Sequence, residues 1–238
     1  MTWYVEVVGE PSDLAMLADG LTDKSACLTR HTEHFLLSST EFTGLTDPGE
    51  VESIAAILLA QISGAARLIL GSPSSLATGN LERVDNDGRR HQFIMTKPGV
   101  LTFRAFPVTV RIGRPDGSEE VHRPADPIRK ALVAARGDDA LAKALRLRDR
   151  TAFGWADLYR LFEVVEAGVG SAALVARTWT TTAQMKRFKH SANSVGASGD
   201  GARHGTESTL PPTAPMSLGE GQRFVDGLLE LWLRDRAS

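Results

Sequence analysis

The chain is short of cysteine, short of aromatic residues and without a long apolar run. Its one thiol, Cys27, cannot close an internal disulfide, and a zinc site built on paired thiolates is excluded. The strongest apolar run, Ile54 to Ala60, falls well below the roughly 18 residues that a membrane span needs. The opening residues, Met1 to Glu6, carry neither a basic leader nor an apolar signal segment. A soluble, cytoplasmic protein without membrane attachment is therefore expected. The net charge of −2 excludes a uniformly basic nucleic-acid coat. Sequence signatures are missing as well. There is no Gly-x-Ser-x-Gly, His-Glu-x-x-His or Gly-x-Gly-x-x-Gly, and Gly71-Ser72-Pro73-Ser74-Ser75 lacks the lysine of a phosphate-binding loop. The usual hydrolase, metalloprotease and dinucleotide readings lose their support, and no cofactor is expected.

What is present is an ordinary globular composition. A hydrophobic content of 42% in 238 residues excludes disorder along the whole length and allows one large domain or two ordinary ones. Charge is divided unevenly: residues 1–85 carry −8 and residues 86–238 carry +6. This asymmetry fits either a half that faces nucleic acid or two domains that attract one another.

The pattern of elements changes partway along. Trp3 to Val8 reads as a strand, Ser12 to Leu21 as a short helix, and Ala26 to Ser38 as one or two strands. Asp47-Pro48-Gly49-Glu50 opens a helix, with Asp47 as cap and Pro48 at the first helical position. Val51, Ile54, Ala55, Leu58 and Ile62 then recur at helical spacing. Asn86-Asp87-Gly88 marks a hairpin between Leu81–Val84 and Gln92–Met95. Val100 to Ile112 reads as a long strand that Pro107 places at an edge or a bulge. After Pro115-Asp116-Gly117 and Pro124 the strands are expected to stop. Helices are expected over Ile128–Ala135, Asp138–Arg148, Trp155–Val165 and Thr182–Ala192, with Ala172–Ala176 apolar but short. Ser217-Leu218-Gly219-Glu220 is a capping box for a last helix bearing Phe224, Val225, Leu228, Leu231 and Trp232. Ser194 to Pro215 reads as a long loop. The expected fold class is α+β: an N-terminal antiparallel sheet with one main helix over residues 1–122, then an all-α helical bundle over 126–238.

Candidate chemistry is unequally spread. In Arg30-His31-Thr32-Glu33-His34, a strand would send His31 and His34 to opposite faces, so the segment reads as solvated histidines and no metal site is expected. The denser cluster is Lys186-Arg187-Phe188-Lys189-His190-Ser191-Ala192-Asn193, followed by Gly199-Asp200-Gly201-Ala202-Arg203-His204-Gly205. Arginine offers a bidentate fork, histidine donates or accepts near neutral pH, and glycines let backbone amides approach an anion. That set suits a phosphate-rich ligand. A solvated basic helix end followed by a flexible loop fits the same residues. The Trp155, Tyr159 and Phe162 stripe reads as core.

Gly199-Asp200-Gly201-Ala202-Arg203-His204 resembles the Gly-Asn/Asp-x-Ala-x-His segment of some members of the HEPN superfamily, helical bundles of bacterial RNA-processing, toxin and defence proteins. The Pro-containing linker (Pro211, Pro212, Pro215) and the helix from Leu218 follow in the family's order, and Leu158 to Glu163 is similar to its long bundle helix. The stretch 155–232 is also similar to a bacterial family without an assigned activity. The resemblance implies an accessory or effector protein whose helical domain binds RNA or nucleotide, with metal-independent ribonuclease activity as the extended expectation. Arg187, His190, Arg203 and His204 would then be the catalytic set, and Lys186, Lys189, Asn193 and Asp200 would bind ligand. The spacing departs from the family, whose nucleases place a histidine several residues after the arginine. Here Arg203 and His204 are adjacent, and Arg187 precedes His190 by three residues. Catalysis therefore stays open. The rival expectation is a non-catalytic protein–protein interaction module or homodimer. Locally, His204 is expected to anchor the glycine-rich loop on Glu163 or Glu166.

Overall fold

A computed structural model describes residues 1–32, 34–71, 75–95, 110–113, 119–150, 152–203 and 210–237. The chain divides into two compact units, Met1–Leu132 and Val133–Ser238. The division falls inside one helix rather than in the turn ahead of it.

The first unit is an α+β layer. Its elements are β1 (Thr2–Val8), α1 (Pro11–Gly20), β2 (Thr22–Asp23), β3 (Ala26–His31), β4 (His34–Ser38), α2 (Pro48–Leu70), β5 (Ala77–Val84), β6 (Arg90–Phe93), β7 (Val110–Gly113) and β8 (Glu119–His122), leading into α3 (Asp126–Arg136). Six strands form an antiparallel sheet in the order β2-β3-β4-β1-β5-β6. Alternation decides which face is buried. Trp3, Val5, Val7, Leu28, Phe35, Leu37 and Leu81 point inward with α1 and α2, whereas Glu6, Leu36 and Glu82 lie on the opposite, more open face. Trp3 is fixed in the core by donating from Nε1 to the Leu45 carbonyl at 2.9 Å.

Helix α2 starts as the sequence suggests. Asp47 accepts from the Glu50 amide at 2.9 Å, Pro48 occupies the first turn, and Gly71 closes the helix in the left-handed region at φ 63°. This helix is longer and more apolar than its strongest run indicates. Over its 23 residues an 18-residue window has mean hydropathy 1.8, enough to cross a membrane by length and composition, and 56% of that window is buried within the protein. Gln61, Ser63 and Gly64 interrupt the run in sequence, yet all of Ile62 to Leu68 is buried. Val51, Ala55, Leu58, Leu59 and Ile62 make it a core helix.

The segment Ala26–Ser38 is two strands, β3 and β4, within the expectation of one or two. One strand expectation needs correction. Strands do not stop at Pro115-Asp116-Gly117, because β8 pairs with β7, from Val110 opposite His122 to Gly113 opposite Glu119. Glu119-Glu120-Val121-His122 lacks apolar alternation, and its strand character comes from hydrogen bonding to a partner strand. Most of the expected strand Val100–Ile112 lies outside the described residues. The Asn86-Asp87-Gly88 hairpin forms as expected, with Gly88 at φ 85°. A hydrogen bond from His91, with Arg83 alongside, holds the Asp85 carboxyl below its ordinary 3.8.

The second unit is all helical: α4 (Asp139–Arg148), α5 (Trp155–Val169), α6 (Ser171–Ala176), α7 (Thr182–Asn193), α8 (Val195–Ser198) and α9 (Leu218–Ala237). Side-chain caps start these helices where the sequence places them. Asp138 accepts from Leu141 N, and Thr181 and Gln184 form a reciprocal box. The expected long loop from Ser194 begins with helical turns, since α8 and a 3-10 turn at Gly199–Gly201 follow α7 directly. At the centre, Phe162 and Phe188 are fully buried with ring centroids 5.0 Å apart. Gly168 admits the buried Trp232 ring, since a Cβ there would lie 2.4 Å from Trp232 Cη2.

The capping box of α9 is electrostatic as well as geometric. Ser217 N donates to Glu220 Oε2 at 2.7 Å, and Glu220 N donates to Ser217 Oγ at 3.2 Å. The Ser217 backbone and side chain hold the Glu220 carboxyl below its ordinary 4.5. A depressed folded value means that this contribution is complete above 4.5 and is lost as pH falls through the lower folded value. Acidification below 4.5 should therefore fray the first turn of α9, read as lower protection factors, relative to the intrinsic exchange rate at each pH, for the amides following Ser217. The variant Ser217→Ala should exchange fast already at neutral pH. Equal protection at pH 7 and pH 3 would contradict this.

Candidate functional site

Helix α7 carries the residues that the sequence singles out. Its inward side, with Met185, Phe188 and Ala192, packs against the aromatic cluster. The polar residues then diverge. Lys186, His190 and Asn193 stand at i, i+4 and i+7, so they share one stripe. Lys186 is exposed, and His190 and Asn193 are half-buried. Arg187 turns to one flank. It donates from Nε to the Ala214 carbonyl at 2.6 Å and from Nη2 to the Pro215 carbonyl at 3.2 Å, with Glu220 Oε1 3.6 Å away. Lys189 turns towards α5, with Nζ 2.7 and 2.8 Å from the two Glu166 oxygens.

Arg203 is bound to α5 as well. Its Nη2 meets Glu163 Oε1 at 3.1 Å, its guanidinium lies 4.0 Å from the Tyr159 ring centroid, and its amide donates to the Ala192 carbonyl at 2.8 Å. The two carboxylates expected to anchor His204 are thus engaged by Arg203 and Lys189. His204 itself lies outside the described residues. Asp200 is exposed on the 3-10 turn. Of the proposed catalytic set, Arg187 and Arg203 engage different partners, Arg187 the Ala214 and Pro215 carbonyls and Arg203 the Glu163 carboxylate of α5. Two acceptors stand apart: Asn193 Oδ1 and Ser194 Oγ are buried with no hydrogen-bond partner among the described residues. Asn193 is among the residues the sequence marks for ligand binding, whereas nothing in the hydropathy pattern singles out Ser194.

No protein-family model, curated protein or solved structure matches the chain.

Ion pairing of this kind recurs through the second unit. Arg148 forms a two-point bridge to Asp226, Nε to Oδ1 at 2.8 Å and Nη2 to Oδ2 at 3.1 Å, joining α4 to α9. Arg177 pairs with Asp235 at 2.6 Å and stacks 5.0 Å from the Trp179 ring centroid, while Arg236 reaches Asp138 at 3.0 Å. Arg148, Arg177, Lys189, Arg203 and Arg236 thus tie separate elements of the second unit together.

The first unit holds a groove of about 370 Å³ on the open face of its sheet, lined among others by Glu6, His31, His34, Asn80, Glu82 and Arg90. Here the sequence reasoning about the histidines needs correction. They sit on separate strands and pair across the β3–β4 hairpin, His31 opposite His34. Directly opposed residues share a face, so both imidazoles border the same groove. Glu6 reaches His34 Nδ1 at 2.8 Å, and Glu82 meets Arg90 at 3.0 Å.

Proposed function

We propose that the protein is a non-catalytic interaction module, in which the helical unit is a cross-braced scaffold and a protein partner docks on the open sheet face of the first unit. The observation that carries this reading is the engagement of Arg187, Lys189 and Arg203 by carbonyls and carboxylates of their own bundle. A phosphate would have to displace those partners, and the two arginines are held by different ones. The open sheet face adds a polar groove bordered by Ile94, which is 83% exposed.

A second reading is RNA or nucleotide binding by the helical unit, as in a bacterial accessory or effector protein of the defence type. The Lys186–His190–Asn193 stripe favours it. Lys186 is exposed and has no partner among the described residues, and His190 and Asn193 follow it on the same stripe. A labelled single-stranded RNA separates the two readings. The interaction module leaves it uncut and unbound at physiological salt. Binding that weakens steeply with salt and is lost in Lys186→Ala with His190→Ala would establish the second reading instead.

A further inference from the structure

We propose that the tip of the β3–β4 hairpin is a binding site for a borderline divalent transition-metal ion, ligated by the imidazoles of His31 and His34 and oriented by Glu6. Strand pairing places the histidines directly opposite one another, and Thr32, which follows His31, adopts φ 49°. Opposed residues have Cβ atoms about 4.5–5.5 Å apart, a spacing two imidazoles can bridge to one ion. Both side chains are exposed, so burial does not block access.

Glu6 makes this more than a chance pair. Its Oε2 accepts the Asn80 amide at 3.1 Å, which fixes the carboxylate, and its Oε1 lies 2.8 Å from His34 Nδ1. An ionised carboxylate only accepts, so the proton of the neutral ring sits on Nδ1. Nε2 is left with its lone pair available to a metal. A carboxylate behind a ligating histidine fixes the tautomer and raises its basicity, as is general in protein metal sites. Among the described residues no group of three or more histidine, cysteine or carboxylate side chains converges on one point. The site therefore supplies two nitrogens and leaves the remaining positions to water or to a group from a docked partner. Nitrogen ligands with open positions favour Cu²⁺ over Ni²⁺ and Zn²⁺.

The proposal goes beyond partner docking and is independent of it, since it is measured on the protein alone. Isothermal titration of the full chain with CuCl₂, NiCl₂ and ZnCl₂ tests it, with circular dichroism confirming that each variant is folded. Copper should bind most tightly. The substitutions His31→Ala and His34→Ala should each weaken copper binding about tenfold or more, and Glu6→Gln about tenfold with both imidazoles in place. His91→Ala, on a different hairpin, should bind as the wild type does. Wild-type affinity in either His31→Ala or His34→Ala would overturn the site, and wild-type affinity in Glu6→Gln would overturn the orienting role of the carboxylate.

Discussion

Replacing Phe188 by alanine should destabilise the helical unit by about 3–5 kcal/mol, the range for removing a buried aromatic ring without collapse of the cavity. Phe188 is fully buried, and its ring neighbours four others. Phe162 lies at 5.0 Å, Phe224 at 5.4 Å, and Tyr159 and Trp155 at 6.1 Å each. These rings come from α5, α7 and α9, so one side chain links three helices. For a domain of this size each kcal/mol is worth about 4–8 °C in Tm, and a loss of roughly 12 °C or more is expected. Phe188→Leu keeps most of the volume and should cost clearly less. A scan of both variants checks this, and a Tm within two degrees of wild type for Phe188→Ala would refute it.

The second large effect is expected at Arg148. Its side chain is 10% exposed, that of its partner Asp226 is 19% exposed, and the guanidinium also lies 5.0 Å from the Phe153 ring centroid. Breaking a buried pair from one side leaves an uncompensated charge, at a cost of about 3–5 kcal/mol. Arg148→Met should approach that figure. Removing both charges in Arg148→Met with Asp226→Leu should recover much of it, because the desolvation cost disappears together with the attraction. Chemical denaturation of the two single variants and the double variant measures the coupling. Additive losses would show that the pair contributes no mutual stabilisation.

The elements that proved readable in sequence are those with local causes. Asp47-Pro48 and Ser217 with Glu220 each specify a helix start through a bond that spans three residues, and both starts are present. The aromatic stripe of α5 likewise announces its buried side. Features that depend on distant partners were not readable. The pairing of β8 with β7, the turn that brings His31 opposite His34, and the burial of α2 across Ser63 and Gly64 follow from tertiary context. The candidate cluster shows the same limit. Sequence brings Arg187, His190 and Arg203 close along the chain, but the 3.6-residue period sends Arg187 and Lys189 to different sides of α7. The carboxylates that meet Lys189 and Arg203 come from α5, a separate helix.

The most direct measurement of the account is a paired reading on Arg187→Ala with Arg203→Ala: thermal stability, and cleavage or binding of single-stranded RNA. If these arginines brace the scaffold, the double variant loses about 2 kcal/mol, a Tm decrease of roughly 8 °C or more, from bonds to the Ala214 and Pro215 carbonyls and to Glu163, with no change towards RNA. An unchanged Tm together with the loss of an RNA-directed activity would show instead that they face a ligand.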